Sequence, residues 1–282
     1  MKKPYFPVYT QISEKPKAIC EKLPAAVFQY PFFNDAVSLV RPMNSKRKEL
    51  ILNFEPNFPN PNPLKLKGFI FHTAHCGSTL LANMLGASKK TRVVSETEAI
   101  NGLLLSRVFC NLEENVLLKS LKTIIDAYLQ PLGEAENVIF KLTSWNVFFI
   151  EAFHKIYPDV PWIFIDRKTE EVVKSLSTSG RGFVEWFYHP TTVLQNYFLG
   201  EKKQADSLES YLFEMVEAHK NRAKNATFGK NKIVEYPFFI DEFENKILPH
   251  FNLTYSENDL QAARETTKYD AKSFGENLFI SK

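Results

Sequence analysis

The 282-residue chain has few cysteines, little net charge and no long apolar run, and each scarcity excludes a class of protein. Three cysteines (Cys20, Cys76 and Cys110) are too few and too scattered for a disulfide framework or a zinc cage. A formal charge of +3, from 35 basic and 32 acidic residues, does not argue for binding to nucleic acid or to a membrane surface. No apolar run reaches the roughly 18 to 20 residues that span a bilayer.

The first ten residues also lack the apolar stretch that is typical of a secretory signal, although they include two lysines. Together with the sparse cysteines, this predicts a reduced, cytoplasmic protein. What is present is the composition of a folded chain, with 44% hydrophobic and 24% charged residues. Phenylalanine is unusually frequent, at 25 copies, which indicates aromatic packing.

A proline-rich stretch divides the chain. Residues 56–63, PNFPNPNP, are incompatible with a helix and with an interior strand because proline lacks the backbone donor that both need. We therefore expect a connector at this position. Residues 1–55 are predicted to form an N-terminal segment packed on the main domain, and the main domain is expected over residues 64–282.

Short apolar runs alternate with stretches of helical periodicity after the connector. The runs mostly lack polar alternation, which is typical of strands covered on both faces. They lie at Gly68–His72, Arg92–Ser95, Val138–Leu142, Trp162–Asp166 and Lys232–Tyr236. This order predicts an α/β fold, a three-layer sandwich with a mostly parallel central sheet. In such folds, ligands bind beyond the carboxyl ends of the strands.

The segment Phe69–Leu85, FIFHTAHCGSTLLANML, has the pattern of a buried strand, a loop of small residues and an amphipathic helix. Gly77 permits a close approach of the backbone, and Ser78 and Thr79 place hydroxyls at the start of the helix. The unpaired amides and the dipole of a helix N-terminus form an anion site. The alternative is an ordinary junction in which one hydroxyl caps the helix.

The triphosphate-binding pattern GxxxxGK[ST] is absent from this loop. His72 stands where its first glycine would be, and no lysine follows Gly77. Asp166, at the end of a predicted strand, does look like a magnesium-holding aspartate. A phosphotransferase or nucleotide kinase that uses a nucleoside triphosphate therefore stays an alternative, and the missing lysine counts against it.

The loop HTAHCGSTLL resembles the 5′-phosphosulfate loop of the sulfotransferase family, PKSGTT[WL], with Ala74–Thr79 at its six leading positions. The resemblance implies a P-loop-like sulfotransferase fold, 3′-phosphoadenosine-5′-phosphosulfate as donor and adenosine 3′,5′-bisphosphate as product. His75 replaces the family's lysine, and a histidine substitutes for it when protonated or donates one hydrogen bond when neutral. The implied 5′-phosphate ligands are the amides of His75, Cys76, Gly77, Ser78, Thr79 and Leu80.

The segment Trp162–Ser177, WIFIDRKTEEVVKSLS, is similar to the family's 3′-phosphate motif, in which a serine follows a strand-end arginine by eight residues. Arg167 and Ser175 have that spacing. A guanidinium fork and a hydroxyl suit a ribose 3′-phosphate. Taken singly, a surface ion pair of Arg167 and a solvated Ser175 would be the plainer interpretation.

A third segment, Ile233–Glu265, resembles the family's late strand and final helices. Its patterned positions hold Tyr236, Ile247, Phe251 and Leu253. The family's terminal basic segment, which wraps the 3′-phosphate, is represented here by Lys268 and Lys272. The resemblance thus extends over about residues 66–275 and adds Lys272 to the donor-binding residues.

Sulfuryl transfer needs positioned oxygens, neutralised charge on the bridging oxygen and removal of the acceptor's proton. The resemblance assigns charge stabilisation to His75 and to Lys141, whose KLTS segment resembles the family's Lys-Thr-His segment. Thr143 replaces the family's histidine and cannot act as the base. The resemblance offers Glu96 as the replacement base, which needs a pKa raised by an effect such as burial; the alternative is an ordinary helix-start or surface carboxylate. Glu98, two residues on, is expected to point differently.

The expected acceptor is a small molecule with a hydroxyl or an amine, and the scheme needs no metal. The stretch Ser177–Pro190 combines two glycines with four aromatic residues, which suits a mobile lid or a wall of the acceptor pocket, or equally an ordinary part of the core. A non-catalytic relative that binds a nucleotide stays an alternative, because His75 and Thr143 depart from the family pattern.

Overall fold

The computed structural model describes residues 4–41, 50–52, 62–180, 182–200 and 205–272. The predicted connector, 56–63, lies outside the described residues except for its last two positions. Residues 273–282 of the expected main domain also lie outside them. The division of the chain at residues 55 and 64 stays a prediction.

A small antiparallel sheet begins the described chain. Within the described residues its order is β1 (Tyr5–Thr10), β2 (Ala18–Lys22) and β3 (Leu50–Leu52). A 3₁₀ turn at Ala25–Gln29 and helix α1 (Phe33–Val40) follow β2.

A second sheet forms the centre of the molecule, and in the part of the chain that is described it has five parallel strands. They are β4 (Lys65–His72), β5 (Thr91–Ser95), β6 (Asn137–Lys141), β7 (Trp162–Asp166) and β8 (Asn231–Glu235). Their order is β5–β6–β4–β7–β8, so the first of them in sequence lies in the middle. Each predicted apolar run coincides with one of these strands.

Helices connect the strands and cover the sheet. They are α2 (Ser78–Gly86), α3 (Glu98–Cys110), α4 (Glu114–Tyr128), α5 (Ile150–Ile156), α6 (Thr169–Ser179), α7 (Phe183–Phe187), α8 (Val193–Leu199), α9 (Leu208–Asn225), α10 (Leu248–His250) and α11 (Glu257–Thr266). Short 3₁₀ or π turns lie at Ser144–Phe149, Phe238–Ile240 and Phe243–Ile247. Over the described ranges, no helix combines the length and apolar character needed to cross a bilayer.

Successive side chains of the central strands pack into two different clusters, because they point to opposite faces of the sheet. Phe69, Phe71 and Phe140 pack on one face with residues of α3, α4, α5 and α9. Ile70 and Ile139 pack on the other face with residues of α2 and α11. The predicted α/β fold with three layers and a parallel central sheet is confirmed.

Arg92 on β5 joins the N-terminal segment to this core. Its buried guanidinium donates hydrogen bonds to the carbonyl oxygens of Tyr128 and Gln130, at 2.7 and 2.8 Å. It also lies over the ring of Phe28, 4.6 Å from the centroid, and the Phe6 ring packs 5.1 Å from that ring. A charged group at this depth is stabilised by carbonyl dipoles and aromatic faces, so the N-terminal segment contributes to the main core.

Candidate functional site

The carboxyl ends of β4, β5 and β6 open into a cavity of about 630 Å³. This is the place at which parallel sheets bind ligands. The predicted residues that line it are His75, Cys76, Gly77, Ser78, Thr79, Leu80, Glu96 and Lys272. Lys141, Arg167 and Ser175 lie behind this lining and make contact with Thr79, Glu96 or His75.

The loop between β4 and α2 has the backbone of an anion-binding turn. His75 and Gly77 have left-handed φ values of 53° and 79°. A Cβ atom at Gly77 would overlap the ring of Tyr236, so both the dihedral angle and the packing require glycine. Gly77 is also the N-cap of α2, and because it has no side chain it does not cap the first amides of the helix. The first amides of α2 therefore remain available to an anion, in contrast to the capped junction considered above.

Cys76 contributes its backbone rather than its thiol. The side chain is buried, its Sγ donates to the carbonyl oxygen of Thr73 at 2.9 Å, and burial raises the pKa of the thiol to about 11. A thiol with this pKa is a poor nucleophile at neutral pH.

Arg167, immediately after β7, reaches the glycine loop. Its Nη1 donates to the carbonyl oxygen of His75 at 2.9 Å, and its guanidinium lies over the Tyr236 ring at 5.1 Å. Its Nε donates to Glu171, in the first turn of α6, at 2.9 Å, and this pair is exposed. Lys220 of α9 holds the same segment from behind, with its Nζ 2.7 Å from the carbonyl oxygen of Arg167.

Ser175, two turns into α6, also meets the loop at His75. Its Oγ lies 2.7 Å from Nδ1 of the His75 ring. Burial lowers the pKa of His75, and the charges of Lys272 and Arg167 lower it further, against a smaller raising effect of Glu96. The ring is therefore neutral at neutral pH, and the two predicted phosphate motifs converge on this one residue.

Lys141 is buried at the end of β6 and forms an ion pair with Glu96. Its Nζ also donates to Thr79 Oγ1 at 3.2 Å and lies 4.9 Å from the centre of the Phe32 ring. Glu96 follows β5 with a left-handed φ of 52°, and its amide donates to the Lys141 carbonyl oxygen at 2.8 Å. The backbone and the side chains of these two residues are thus joined.

The ion pair determines the pKa of Glu96. Desolvation by itself raises this pKa, but Lys141, with help from His72, more than offsets it, and the net pKa lies below the ordinary value. The requirement of a raised pKa is therefore not met. Glu98 lines the same cavity as Glu96 but has a different partner, since Glu96 pairs with Lys141 and Glu98 accepts a hydrogen bond from Asn101. The strand ends at Ser95, and the left-handed Glu96 interrupts the alternation of side chains.

His72, which none of the sequence motifs marks as a site residue, lines the cavity at the end of β4. Its Nδ1 lies 2.6 Å from the Thr73 carbonyl oxygen, its Nε2 lies 2.8 Å from that of Leu142, and Nε2 is 3.9 Å from Glu96. Burial, with a contribution from Lys141, lowers its pKa to about 4. Its main partners are backbone carbonyl oxygens, and no sequence pattern predicts such contacts of a side chain with the backbone.

The carboxylate of Asp166, the candidate magnesium ligand, already interacts with other groups of the protein. Its Oδ1 accepts from the Arg167 amide at 2.7 Å and lies 2.9 Å from Lys220 Nζ. It does not line the cavity. The feature that favoured a nucleoside-triphosphate-dependent phosphotransferase is therefore a structural ion pair.

The aromatic stretch Ser177–Pro190 borders the cavity with Gly182, Phe183 and Trp186. Phe183 and Trp186 pack with their ring centres 5.1 Å apart. Residue 181 lies outside the described residues, and a lid motion stays a prediction.

Comparison with known proteins gives a likeness of fold only. No family model matches the sequence, and no curated protein matches it. Among solved structures, the chain is similar to the sulfotransferase STF1 of Mycobacterium tuberculosis, with 14% identity, 77% of each chain covered and a TM-score of 0.45. It is also similar to a sulfotransferase of Alicyclobacillus acidocaldarius, with 12% identity, a TM-score of 0.41, and coverage of 77% of this chain and 97% of the other. At these values, function has to come from the residues of the site.

Proposed function

We propose that this chain is a sulfotransferase that moves a sulfuryl group from 3′-phosphoadenosine-5′-phosphosulfate to a hydroxyl or amine of a small molecule. The observation that carries the proposal is the contact of Arg167 and Ser175 with His75, two residues before Gly77. Through it, an arginine-centred anion site and a glycine-lined one adjoin at one edge of the sheet. A ligand with two separated phosphates fits such a pair of sites.

The residues present suit that ligand. The uncapped amides of α2 and of the turn before it, His75–Leu80, would hold the 5′-phosphate. Arg167, Ser175 and Lys272 would hold the 3′-phosphate. The present partner of Arg167, Glu171, is about half exposed, and exposed ion pairs contribute only about 0.2–1 kcal/mol. A phosphate can therefore replace it at small cost.

The donor supplies a sulfuryl group whose S–O bond to the 5′-phosphate breaks as a bond to the acceptor forms, with adenosine 3′,5′-bisphosphate as product and the acceptor's proton passing to a base. His75 is neutral in the free protein, and a neighbouring anion favours its protonated form. It would then donate to the oxygen on which charge develops. Lys141 adds a fixed positive charge beneath the loop through its contact with Thr79.

Glu96 would take the proton of the acceptor. Its pairing with Lys141 keeps it ionised at neutral pH, so its oxygens are free of protons when the acceptor arrives. The lowered pKa also makes it a weak base, so it must act on a hydroxyl whose acidity rises as the new bond forms. The expected location is the cytoplasm, where the three cysteines would stay reduced.

Calorimetry with two nucleotides tests the proposal. Adenosine 3′,5′-bisphosphate should bind, and Arg167→Ala should weaken its binding by roughly 1.5–3 kcal/mol, the range for hydrogen bonds to charged groups. Adenosine 5′-phosphate, which lacks the 3′ group, should hardly respond to the same change. Arg264→Ala, which removes a surface arginine paired with Glu244 and Glu257, is the matched control. Equal losses for both nucleotides would contradict the assignment of Arg167.

A second candidate, a relative that binds the nucleotide without transfer, is favoured by one observation. The Glu96 and Lys141 side chains neutralise each other, and this leaves a weak base. The candidate predicts bisphosphate binding with no sulfated product in a screen of hydroxyl and amine acceptors with labelled donor. A labelled product that forms with the unchanged protein and does not form with Glu96→Gln would show that the chain is an enzyme.

A further inference from the structure

The part of the cavity beyond the glycine loop has an aromatic wall. Trp145 and Trp186 line it with their ring centres 6.3 Å apart, and Phe183 packs edge-on against Trp186. Leu105 and Leu194 extend the apolar surface. Aromatic faces carry negative electrostatic potential and attract cations as well as apolar groups.

A carboxylate borders the same space. Glu98, the first residue of α3, lines the cavity, and in the described part of the chain no basic side chain lies within ion-pair distance of it. Its Oε1 accepts only a long hydrogen bond of 3.4 Å from Asn101. Asn101 in turn accepts from Asn146 at 3.3 Å, and Asn146 is adjacent to Trp145 in the chain. These contacts attach the carboxylate to the aromatic wall.

Glu98 differs in this respect from its neighbour Glu96. Glu96 has the Lys141 ammonium as its partner, so that charge is not available to Glu98. Desolvation raises the pKa of Glu98, the Asn101 hydrogen bond offsets part of this, and the charge of Glu96 raises the pKa again. A carboxylate at the start of a helix is stabilised by the helix dipole, but the dipole does not supply a counter-ion.

We propose that the acceptor is an organic cation, with an apolar or aromatic body against Trp145 and Trp186 and an ammonium group paired with Glu98. The inference rests on the proposed function, since it names the substrate class of that site. A carboxylate and aromatic rings that line one cavity together select ammonium groups, by charge and by cation–π attraction. Acceptors that carry a carboxylate or a phosphate are repelled by Glu98, whose charge has no such partner as Lys141 provides for Glu96.

The paired ammonium is not the nucleophile, because it has no free electron pair. The sulfuryl group would go to a hydroxyl oxygen elsewhere on the same molecule. The S–O bond of the donor breaks, the new S–O bond forms, and the hydroxyl proton goes to Glu96. The acceptor class is therefore an amino alcohol, or a phenol that carries an aminoalkyl chain, with an apolar body.

Three probes with one body and different charge test the inference by calorimetry. They are 3-phenylpropylammonium, 3-phenylpropan-1-ol and 3-phenylpropanoate. The cation should bind about tenfold more tightly than the alcohol, and the anion should not bind. Glu98→Gln should remove the tenfold preference for the cation and leave the affinity for the alcohol unchanged. Glu114→Gln, which also changes the first residue of a helix but lies away from the cavity, should behave like the unchanged protein.

Unfolding of each variant by urea shows whether it is folded, and Glu98→Asp is the second variant if Glu98→Gln is not. A cation preference that survives in Glu98→Gln overturns the inference. Glu98→Asp keeps the negative charge, so binding of the anion as tightly as the cation in that variant overturns it as well. Binding of adenosine 3′,5′-bisphosphate is measured on the same samples. Bisphosphate binding without any preference for the cation overturns the acceptor class alone, whereas a Glu98-dependent preference without bisphosphate binding overturns the proposed function.

Discussion

The two members of the Lys141–Glu96 pair differ in exposure, and this difference predicts that their removal has unequal effects on stability. The Lys141 side chain is 1% exposed, and that of Glu96 is 25% exposed towards the cavity. Removal of one partner from a buried pair costs about 3–5 kcal/mol, because the other charge is left without compensation. The cost should therefore be larger when the ammonium is the charge that remains.

For Glu96→Gln we expect a loss of about 3 kcal/mol in the free energy of unfolding, at the low end of that range because cavity water reaches this position. For Lys141→Met we expect a loss of about 1–2 kcal/mol, from the Thr79 hydrogen bond and the contact with the Phe32 ring. The double variant leaves no charge and should also lose about 1–2 kcal/mol.

Urea unfolding followed by tryptophan fluorescence measures these losses. The comparison requires that the slope of the unfolding free energy against urea concentration is equal in all variants. The double variant should be more stable than the sum of the single losses predicts, by about 3 kcal/mol. If the losses are additive, or if Lys141→Met costs more than Glu96→Gln, the reasoning about the buried charge is wrong.

Three further predictions concern the loop, the pH dependence of stability and ligand binding. Gly180→Ala, at a φ of 64° with no described atom within 4 Å of the new Cβ, should cost about 1 kcal/mol, whereas Gly77→Ala should cost about 2–4 kcal/mol because the Tyr236 ring must also move; equal urea midpoints would contradict this. Burial lowers the pKa of His219 to about 4, so the unfolded chain binds a proton more readily between pH 4 and 6.5 and stability falls as the pH drops through this range. The shift in pKa corresponds to about 3 kcal/mol of unfolding free energy. Urea unfolding at pH 4 and at pH 6.5 should therefore show that the stability of His219→Phe changes less between these values, by about this amount. The lowered pKa of His75 should rise when an anion binds, so bisphosphate binding should take up a proton and strengthen as the pH falls towards 6; buffer-dependent calorimetric heats test this, and the dependence should vanish in His75→Gln.

The sheet could be predicted from the sequence because its strands are nearly continuous apolar runs. A buried parallel strand needs apolar side chains on both faces, and few other elements carry such short runs between helical stretches. The same rule predicts where a ligand binds, since Lys141 ends a strand of this parallel sheet and Gly77, Glu96 and Arg167 come after other strands of it.

The pairing of charges could not be predicted in this way. The pKa of Glu96 depends on Lys141, 45 residues away on the neighbouring strand, and on which side the strand-end backbone turns. The left-handed φ of Glu96 has no marker, because such conformations usually belong to glycine or asparagine. Phe32 was missed for a similar reason, since it reaches Lys141 from the N-terminal segment, in which no motif is present.

The cations of the site fall into two groups according to how strongly their present partners hold them. Arg167 is paired with the exposed Glu171, and a phosphate can replace that partner with a loss of less than about 1 kcal/mol. Lys141 is paired with Glu96 in the interior, where separation of the charges costs several times as much. A ligand can therefore recruit Arg167 but cannot draw Lys141 away from Glu96. On the proposed function, donor binding and proton removal would therefore depend on different charges, and the His75 ring interacts electrostatically with both Arg167 and Glu96.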